Sequence, residues 1–509
     1  MQKKTSDITI IILMKTHVIR NLEPPQAWLP LKKSDWNEGA ARHLLRRIGF
    51  SVRPDALKIA LEEGLGPAIR QAFAGARVMQ PPESLQEVAE GYRNLRQRQK
   101  DLPEKERRKL RQAMNRKRRA SMEEITINWL KNASEAQNSA FEKWGLFWEN
   151  LFVVTAQKVK NPVMLYQSET TLRRHSFKTL AELAKAVSRD PAMVLFLDLQ
   201  QNKKGSPNEN FARELFELFL LGEGNYTEKD IKEAARAFTG YRQVNGHFRF
   251  IPNQHDATRK TVFGKTGNWT GDDIVDLALQ EPAARTFIPR ELCKHYLSDQ
   301  IIPDEYLQTL GDKWAERNFN LTWLASTFFS SRLFFHPQFR GNKIKSPFEF
   351  LIGLLQDLDL DLAPLPRRVI PALGGMGQNY LNPPNVRGWV GGKLWINSAT
   401  IIQRRLLVEG LFNPPPSKNL NSDEVMALDQ ARETGQCRFF VTRRQGETWA
   451  GLPPEERLER MEKQWLANPL EEGERKSLIQ FLHDNQSSPL PATRAVAITL
   501  LQSPQYQLV

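Results

Sequence analysis

Apolar residues recur at helical spacing along most of the chain. Residues 141–152, FEKWGLFWENLF, place large apolar side chains three and four positions apart, a spacing that predicts an amphipathic helix. Similar patterns predict three or four packed helices over residues 176–240 and further helices over residues 272–356. Breaks are expected near Pro303 and Pro337, because proline cannot continue a helical hydrogen-bond ladder. The chain therefore predicts a mainly α fold.

One short stretch departs from the helical pattern. Phe248 and Phe250 alternate with Arg249, and a second strand-like run, KTVFGKTG, follows at residues 260–267. Alternation of apolar and polar residues is typical of a half-buried strand. The pattern predicts a small β-hairpin near residues 247–263.

The positive charge of the chain is concentrated in one segment. The 509 residues carry a formal net charge of +14, of which residues 91–120 contribute +10. Good helix formers with few apolar anchors predict a basic helical insertion over residues 83–122 that protrudes from the body. Such a helix is suited to phosphates of nucleic acid or to an anionic surface, although a charge run is more often a solvated helix face. Tyr92 is its lone aromatic residue, which disfavours base stacking.

The predicted fold class is thus mainly α, a multi-helical globular body with a small β-hairpin and a protruding basic helix. Hydrophobic residues make up 40% of the chain and charged residues 26%, as in an ordinary soluble globular protein. The sequence predicts an N-terminal extension at 1–35, in which Met14 is an alternative start, and a main helical domain at 36–412. A linker at 413–423 and a helical part at 424–509 follow. Without a clear signal peptide a cytoplasmic location is favoured, while two cysteines also allow a periplasmic one.

Residues 205–222, GSPNENFARELFELFLLG, are apolar almost all round yet carry four charges and two asparagines. Ser206 and Glu209 have the spacing of a capping box, which predicts a helix with Ser206 as its N-cap. Arg213 and Glu217 continue from Glu209 at four-residue intervals, which predicts an i,i+4 charge ladder. These contacts account for most of the charges.

Asn210 and Glu214 are left over. They share a face that the ladder does not use, and apolar residues flank them. A carboxylate in apolar surroundings costs several kcal/mol unless it is paired. Either an arginine from another helix, Arg236 or Arg174, neutralises Glu214, or Asn210 and Glu214 face a binding site.

His255 and Asp256 form the pair most typical of a catalytic or metal site. A histidine beside a carboxylate can supply a metal ligand, or a base with its orienting group. Neighbours on extended backbone point to opposite faces, however, and the alternative is that Asp256 caps a turn while His255 bonds to backbone. Together with Asn210 and Glu214 the pair would offer an oxygen-rich site for a divalent cation. Glu214, His255 and Asp256 are therefore the candidate catalytic and metal-binding residues.

The loop at residues 382–395, NPPNVRGWVGGKLW, is a candidate ligand-binding segment. Asn385, Arg387 and Trp389 suit an anionic or sugar-like ligand, by bidentate pairing and by stacking. The alternative is a packed turn whose tryptophans hold the loop on the body. The sequence contains no dinucleotide fingerprint, Walker loop, His-Glu-x-x-His or Gly-x-Ser-x-Gly motif, which disfavours common nucleotide and serine-hydrolase chemistries.

Long motifs fill the centre of the chain, among them SRDPAMVLFLDLQQNKKGSPNENFARELFELFLLGEG, HFRFIPNQHD and NPPNVRGWVGGKLWI. They closely resemble the bacterial domain-of-unknown-function 1800 family (DUF1800), and the resemblance extends from about Ala40 to the last residues. The family has no established activity; the resemblance implies a companion protein of the family numbered 1501, which looks like an exported sulfatase or phosphatase. Where the family reads Trp-x-Asn-His-Phe this chain has Leu151, so a metal site must do without that histidine or use Glu149.

Three functions follow as hypotheses. The first is a binding or assembly protein that acts with a partner, the companion family, through a polar pocket and the loop at 382–395. The second is a metal-assisted hydrolase for an anionic or sugar-like substrate, with a divalent cation at Glu214 and His255. The third is a nucleic-acid or anionic-surface binder that uses residues 91–120. Whether the protein is an enzyme stays open at this point.

Overall fold

The computed structural model describes residues 19–74, 78–100, 102–360, 362, 366–413, 416–433 and 448–509. The helices are α1 (Pro24–Ala27), α2 (Glu38–Ile48), α3 (Pro54–Glu63), α4 (Leu65–Ala74), α5 (Glu83–Lys100), α6 (Glu104–Ser134), α7 (Ser139–Leu151), α8 (Ala156–Val159), α9 (Pro162–His175), α10 (Leu180–Ser188), α11 (Pro191–Phe196), α12 (Asn210–Glu214), α13 (Glu228–Ala237), α14 (Gly271–Ala278), α15 (Pro282–Leu292), α16 (Asp304–Ala315), α17 (Leu321–Ser330), α18 (Pro347–Asp357), α19 (Pro366–Gly375), α20 (Ser398–Phe412), α21 (Ser422–Glu433), α22 (Pro454–Trp465), α23 (Glu472–Asp484) and α24 (Pro489–Gln502). The strands are β1 (Tyr241–Val244), β2 (His247–Phe250), β3 (Lys260–Val262) and β4 (Lys265–Gly267). The predicted mainly α fold is confirmed.

Helix α7 lies at the centre of the body. It packs against α2, α4, α6 and α9, and its Trp144 and Trp148 are completely buried. The predicted aromatic stripe is therefore core, since large rings bury the most apolar area per residue. The polar residues of the same helix are consequently carried into the interior with it.

The predicted β-hairpin is wrong in its pairing. Strand β2 pairs with β1, the strand that precedes it in the chain, and β3 pairs with β4. Two separate antiparallel hairpins therefore replace the single one expected near 247–263. Asn245 and Gly246 connect β1 and β2 with φ of 53° and 82°. An Asn-Gly turn with two left-handed residues matches the twist of paired strands, and that dipeptide is the sequence signal for the first hairpin.

Helix α12 begins later than the capping pattern predicted. It starts at Asn210 with Glu209 as its N-cap, and Ser206 instead forms a β-bridge with Lys203. Its continuation, Leu215–Leu220, is π-helical, which shifts later side chains out of i,i+4 register. Arg213 accordingly pairs with Glu209 at 3.2 Å, while Glu217 leaves the predicted ladder for other partners.

The basic insertion is helical, and it consists of two helices, α5 and α6, where the sequence predicted one protruding basic helix. Helices α5 and α6 pack against each other, joined by Lys117 Nζ to Glu87 Oε2 at 3.0 Å and by the hydroxyls of Ser121 and Ser84 at 2.8 Å. Most residues from 104 to 120 are exposed. The second half of α6 is buried and packs on α7, α9, α18 and α19.

The last three helices pack beside the main body. Helix α24 lies against α20, and the indole of Trp465 on α22 donates to the carbonyl oxygen of Asp357 on α18 at 3.3 Å. The proposed boundary at 413–423 stays a prediction. Within the described residues, no helix combines the length and the apolar character needed to cross a membrane.

Candidate functional site

Two of the predicted residues, Glu214 and Arg387, lie in one charged patch. Arg387 Nη2 is 3.0 Å from Glu217 Oε1 and 2.5 Å from Glu223 Oε1. Glu214 is half-buried; burial and the charge of Glu217 raise its pKa, and the Arg387 guanidinium opposes that rise. The arginine from outside α12 that approaches Glu214 thus comes from the loop, and neither Arg236 nor Arg174 fills that role.

The two predicted asparagines make local contacts. The backbone N–H of Asn210 donates to Asn208 Oδ1 at 3.0 Å. Asn385 Oδ1 accepts from the backbone N–H of Arg387 at 2.8 Å and so shapes the loop. A ligand-binding role for Asn210 and Asn385 stays a prediction.

His255 and Asp256 fix the segment after β2 to the C-terminal end of α13. His255 Nδ1 donates to the carbonyl oxygen of Thr239 at 2.9 Å. Asp256 Oδ2 accepts from Arg236 Nε at 2.7 Å. Burial by itself would raise the pKa of Asp256, but hydrogen bonds from Arg236 and Thr258 hold that pKa well below its usual value. The structure supports the backbone-bonding interpretation of this pair.

The predicted cation site is not assembled. No group of three or more His, Cys, Asp or Glu side chains within the described ranges is placed to hold a metal ion. His255 and Asp256 are engaged with Thr239 and Arg236, and Glu214 lies beside Arg387. The three candidate ligands therefore serve separate contacts.

A polar cavity of about 90 Å³ lies beneath the loop at 382–395. Trp389 and Trp395 line it from the loop side. Arg387 and Asn385, which the sequence grouped with Trp389, do not line it. The remaining lining comes from α7, from the end of α15 and the π-helical turn Cys293–Leu297 that follows it, from the segment that leads into α18 and the start of that helix, and from Asp299 and Gln378.

Asn150 fixes the loop over this cavity. Its side-chain Oδ1 accepts from the backbone N–H of Trp389 at 2.7 Å. The backbone of Gly388 passes so close that a Cβ would lie 2.5 Å from the carbonyl oxygen of Asn150, and its φ is +75°. Only glycine fits both conditions, so the close approach of the loop to the end of α7 explains the glycine at position 388.

Oppositely charged side chains line the cavity in pairs. The pairs are Lys143 with Glu349 at 2.7 Å, Lys343 with Asp299 at 2.7 Å and Lys294 with Glu291 at 3.6 Å. Burial would raise the pKa of Glu349, but the neighbouring Lys143 ammonium holds that pKa well below its usual value. Burial likewise lowers the pKa of Lys143, and Glu349 opposes that change. The cavity is therefore polar while its charges compensate one another.

His295 faces the same cavity from the π-helical turn Cys293–Leu297. Its ring packs edge-on against Phe147, with 5.5 Å between ring centroids. Burial lowers the pKa of His295 to about 3, so its imidazole is neutral at ordinary pH. A neutral imidazole has one donor and one acceptor nitrogen for a ligand.

Behind α7 lies a second, fully buried charge cluster. Arg173 Nη2 is 2.6 Å from Glu142 Oε2 and 2.9 Å from Glu149 Oε1, and Arg173 Nη1 is 2.6 Å from Glu169 Oε2. The hydroxyl of Tyr380 donates to Glu169 Oε2 at 2.7 Å. Burial, reinforced by the charge of Glu169, raises the pKa of Glu149 well above its usual value. Glu149 thus retains a proton more readily than an exposed glutamate does.

Helix α7 carries a signal for this site in its own sequence. It is as apolar as residues 205–222 and also contains Glu142, Lys143, Glu149 and Asn150, so it raises the same question about buried charge. Leu151, which stands where the family resemblance expects histidine, lines the cavity and is 8% exposed. Glu149 does not replace that histidine in the cavity, because it points into the Arg173 cluster.

Comparison with known proteins identifies the family to which the chain belongs. The family described as protein of unknown function (DUF1800) matches residues 43–508. Comparison with curated proteins and with solved structures gave no match. Because the family match spans nearly the whole chain, this protein belongs to the DUF1800 family, as its central motifs indicated.

Proposed function

We propose that this protein is a binding protein whose cavity beneath the loop at 382–395 takes a neutral, hydroxyl-rich, sugar-like group. The observation that carries the proposal is the convergence of three lysine–carboxylate pairs and two tryptophans on one cavity. Each pair sets a hydrogen-bond donor beside an acceptor. Adjacent hydroxyls of a sugar need that combination, since each hydroxyl both donates and accepts.

The charge balance favours a neutral ligand over an anion. Three lysines face three carboxylates, and His295 adds no charge because burial lowers its pKa to about 3. An anion would have to compete with Glu349 or Asp299 for a lysine. Leaving a buried carboxylate without its partner is strongly destabilising, whereas a hydroxyl can join a pair without separating it.

The tryptophans supply the apolar part of the site. Trp389 and Trp395 are each 8% exposed, so most of their surface is already fixed by packing. Trp389 meets the ring of Phe348 edge-on at 5.9 Å between centroids. Rigid indole faces bind the C–H faces of a ring ligand at little entropic cost.

The rim of the cavity supports a ligand that is presented by a larger partner. Val390, which lines the cavity, is 58% exposed, and Leu394 on the same loop is 66% exposed. Large exposed apolar side chains next to a polar pocket are typical of an interaction surface. The companion protein of the 1501 family stays a prediction, which co-purification with the full-length chain would test.

The binding proposal is tested by calorimetry with a panel of mono- and oligosaccharides. Asp299→Asn removes the charge paired with Lys343, and Trp395→Ala removes one wall of the cavity. We expect each change to weaken saccharide binding by about tenfold or more, the loss of roughly one charged hydrogen bond or one aromatic contact.

Matched controls lie away from the cavity. Asp304→Asn removes an exposed carboxylate that pairs with Arg290, and Trp323→Ala removes a tryptophan stacked on Arg317. Both should leave saccharide affinity unchanged. If no saccharide binds the wild-type protein while simple anions do, the neutral-ligand proposal is wrong.

A further inference from the structure

A second cavity, of about 350 Å³, lies between α2 and the last helices of the chain. Arg42 and Arg46 reach it from α2, and both donate to the carbonyl oxygen of Lys463 at the end of α22, at 2.7 and 3.0 Å. Arg46 also donates to the carbonyl oxygen of Gln464 at 3.1 Å. These two arginines cap α22 and fix the C-terminal helices to the body.

Most charges around this cavity are paired. Arg42 pairs with Glu38 at 2.8 Å. Arg475 and Lys463, which also line the cavity, pair with Glu462 at 3.0 Å and with Glu459 at 2.6 Å. His43 contributes no charge, because burial, followed by the charge of Arg47, lowers its pKa well below the usual value.

Two guanidinium groups at the cavity have no carboxylate in ion-pair contact within the described residues. Arg46 is 8% exposed and bonds only to carbonyl oxygens there. Arg340 is half-buried; its Nη2 has a long contact of 3.5 Å with the carbonyl oxygen of Phe335, and its buried Nε has no hydrogen-bond acceptor. A buried donor without an acceptor is energetically costly, so this arrangement favours an anion that supplies one.

We propose that this cavity is a binding site for an organic phosphate, with the phosphate on Arg340 and Arg46 and an apolar body against the apolar part of the lining. A phosphate monoester carries about −1.5 to −2 charges near neutral pH, which matches two unpaired guanidinium groups. Arginine binds phosphate oxygens through two parallel N–H donors. The lining also contains Leu466, Ala467 and Pro469, which suit a short hydrocarbon portion.

The site is tested with hexyl phosphate on the full-length protein by titration calorimetry. We expect one molecule to bind, about tenfold more tightly than inorganic phosphate because the alkyl chain covers the apolar part of the lining, and hexanol not to bind. Arg340→Met keeps the side-chain volume but removes the guanidinium. It should weaken hexyl phosphate binding by about tenfold or more.

Two further variants keep the result decisive. Arg460→Met removes an exposed arginine of α22 that pairs with Glu456 outside the cavity and should leave binding unchanged. Ala467→Phe fills the cavity while every charge stays, so it should abolish hexyl phosphate binding even if Arg340→Met does not fold. The proposal is overturned if hexyl phosphate does not bind the wild-type protein, if inorganic phosphate binds equally well, or if Ala467→Phe binds like wild type.

Discussion

The first half of α6 and the cluster around Arg173 contain the same kinds of charged residue in opposite surroundings. From residue 104 to 119, α6 carries nine lysines and arginines in water, and they form only a few surface pairs, such as Arg107 with Glu104 at 3.6 Å. Around Arg173, three carboxylates lie within 2.9 Å of one guanidinium. Water solvates a charge at little cost, whereas a buried charge needs its own partner.

Helix α6 itself joins the two regions. Its exposed first half is basic, and its buried second half brings the Trp129 indole to Glu142 Oε2 at 3.0 Å. The transition follows the sequence, in which large apolar residues become closely spaced from Ile125 onward. Burial therefore decides whether a charged residue must pair within the protein or remains available to bind a partner.

The largest effect is expected from Arg173→Met. It leaves Glu142, Glu149 and Glu169 buried without their common cation, so we expect a loss of about 5 kcal/mol in the free energy of unfolding, or failure to fold. Urea denaturation measures it. The matched change Arg116→Met on the exposed half of α6 should cost less than about 0.5 kcal/mol; equal effects would remove the distinction between the two regions.

A smaller loss is expected from Lys143→Met. Glu349 would lose its ion pair but would still accept from the backbone N–H of Ser346 at 2.7 Å, so we expect about 3 kcal/mol in the same measurement. Lys117→Met, which breaks the exposed pair with Glu87, is the control and should cost less than about 1 kcal/mol. Stability of Lys143→Met equal to wild type would show that the Lys143–Glu349 pair contributes nothing.

Glu149→Gln should change the pH dependence of stability. The folded-state pKa of Glu149 lies above its usual value of 4.5, so folding takes up a proton. The free energy of unfolding of the wild type therefore falls as pH rises from about 4.5 through the folded-state pKa. Glutamine does not titrate. The free energy of unfolding of the variant, relative to that of wild type, should therefore rise by up to about 1.4 kcal/mol per pH unit in that range.

The control for this titration is Glu106→Gln on the exposed part of α6. The free energy of unfolding of this variant should stay within about 0.5 kcal/mol of the wild-type value across the same pH range. Parallel stability curves for Glu149→Gln and wild type would contradict a raised pKa at Glu149.

The smallest effect on stability is expected from replacing Arg116, Lys117 and Arg119 together by glutamine. These residues are exposed, so the free energy of unfolding should change by less than about 1 kcal/mol. If the basic insertion binds nucleic acid, the slope of log affinity against log salt should fall by about 0.9 for each phosphate that the variant no longer neutralises. An unchanged slope on duplex DNA would exclude these three residues from phosphate binding.

Much of the helical architecture was predictable from local pattern, and the candidate site only in part. The aromatic stripe at 141–152 predicted α7, because an amphipathic pattern depends only on residues within a few turns of one another. The loop at 382–395 was identified, but Trp389 lines the cavity while Arg387 pairs with Glu217 and Glu223. The π-helical turn after Glu214 displaced Glu217 from its expected register, and no residue pattern had indicated that turn.

The sequence by itself determined which segments are helical, where the glycine-rich loop falls and that the positive charge is concentrated in one segment. Each of these depends on neighbours in the chain, through apolar periodicity, capping and turn conformation. Only the tertiary structure decided that Glu142, Glu149 and Glu169 share Arg173 and that Glu349 meets Lys143. Lys143 and Glu349 are about 200 positions apart in the chain, and the packing of whole helices brings them together in surroundings where a charge cannot remain unpaired.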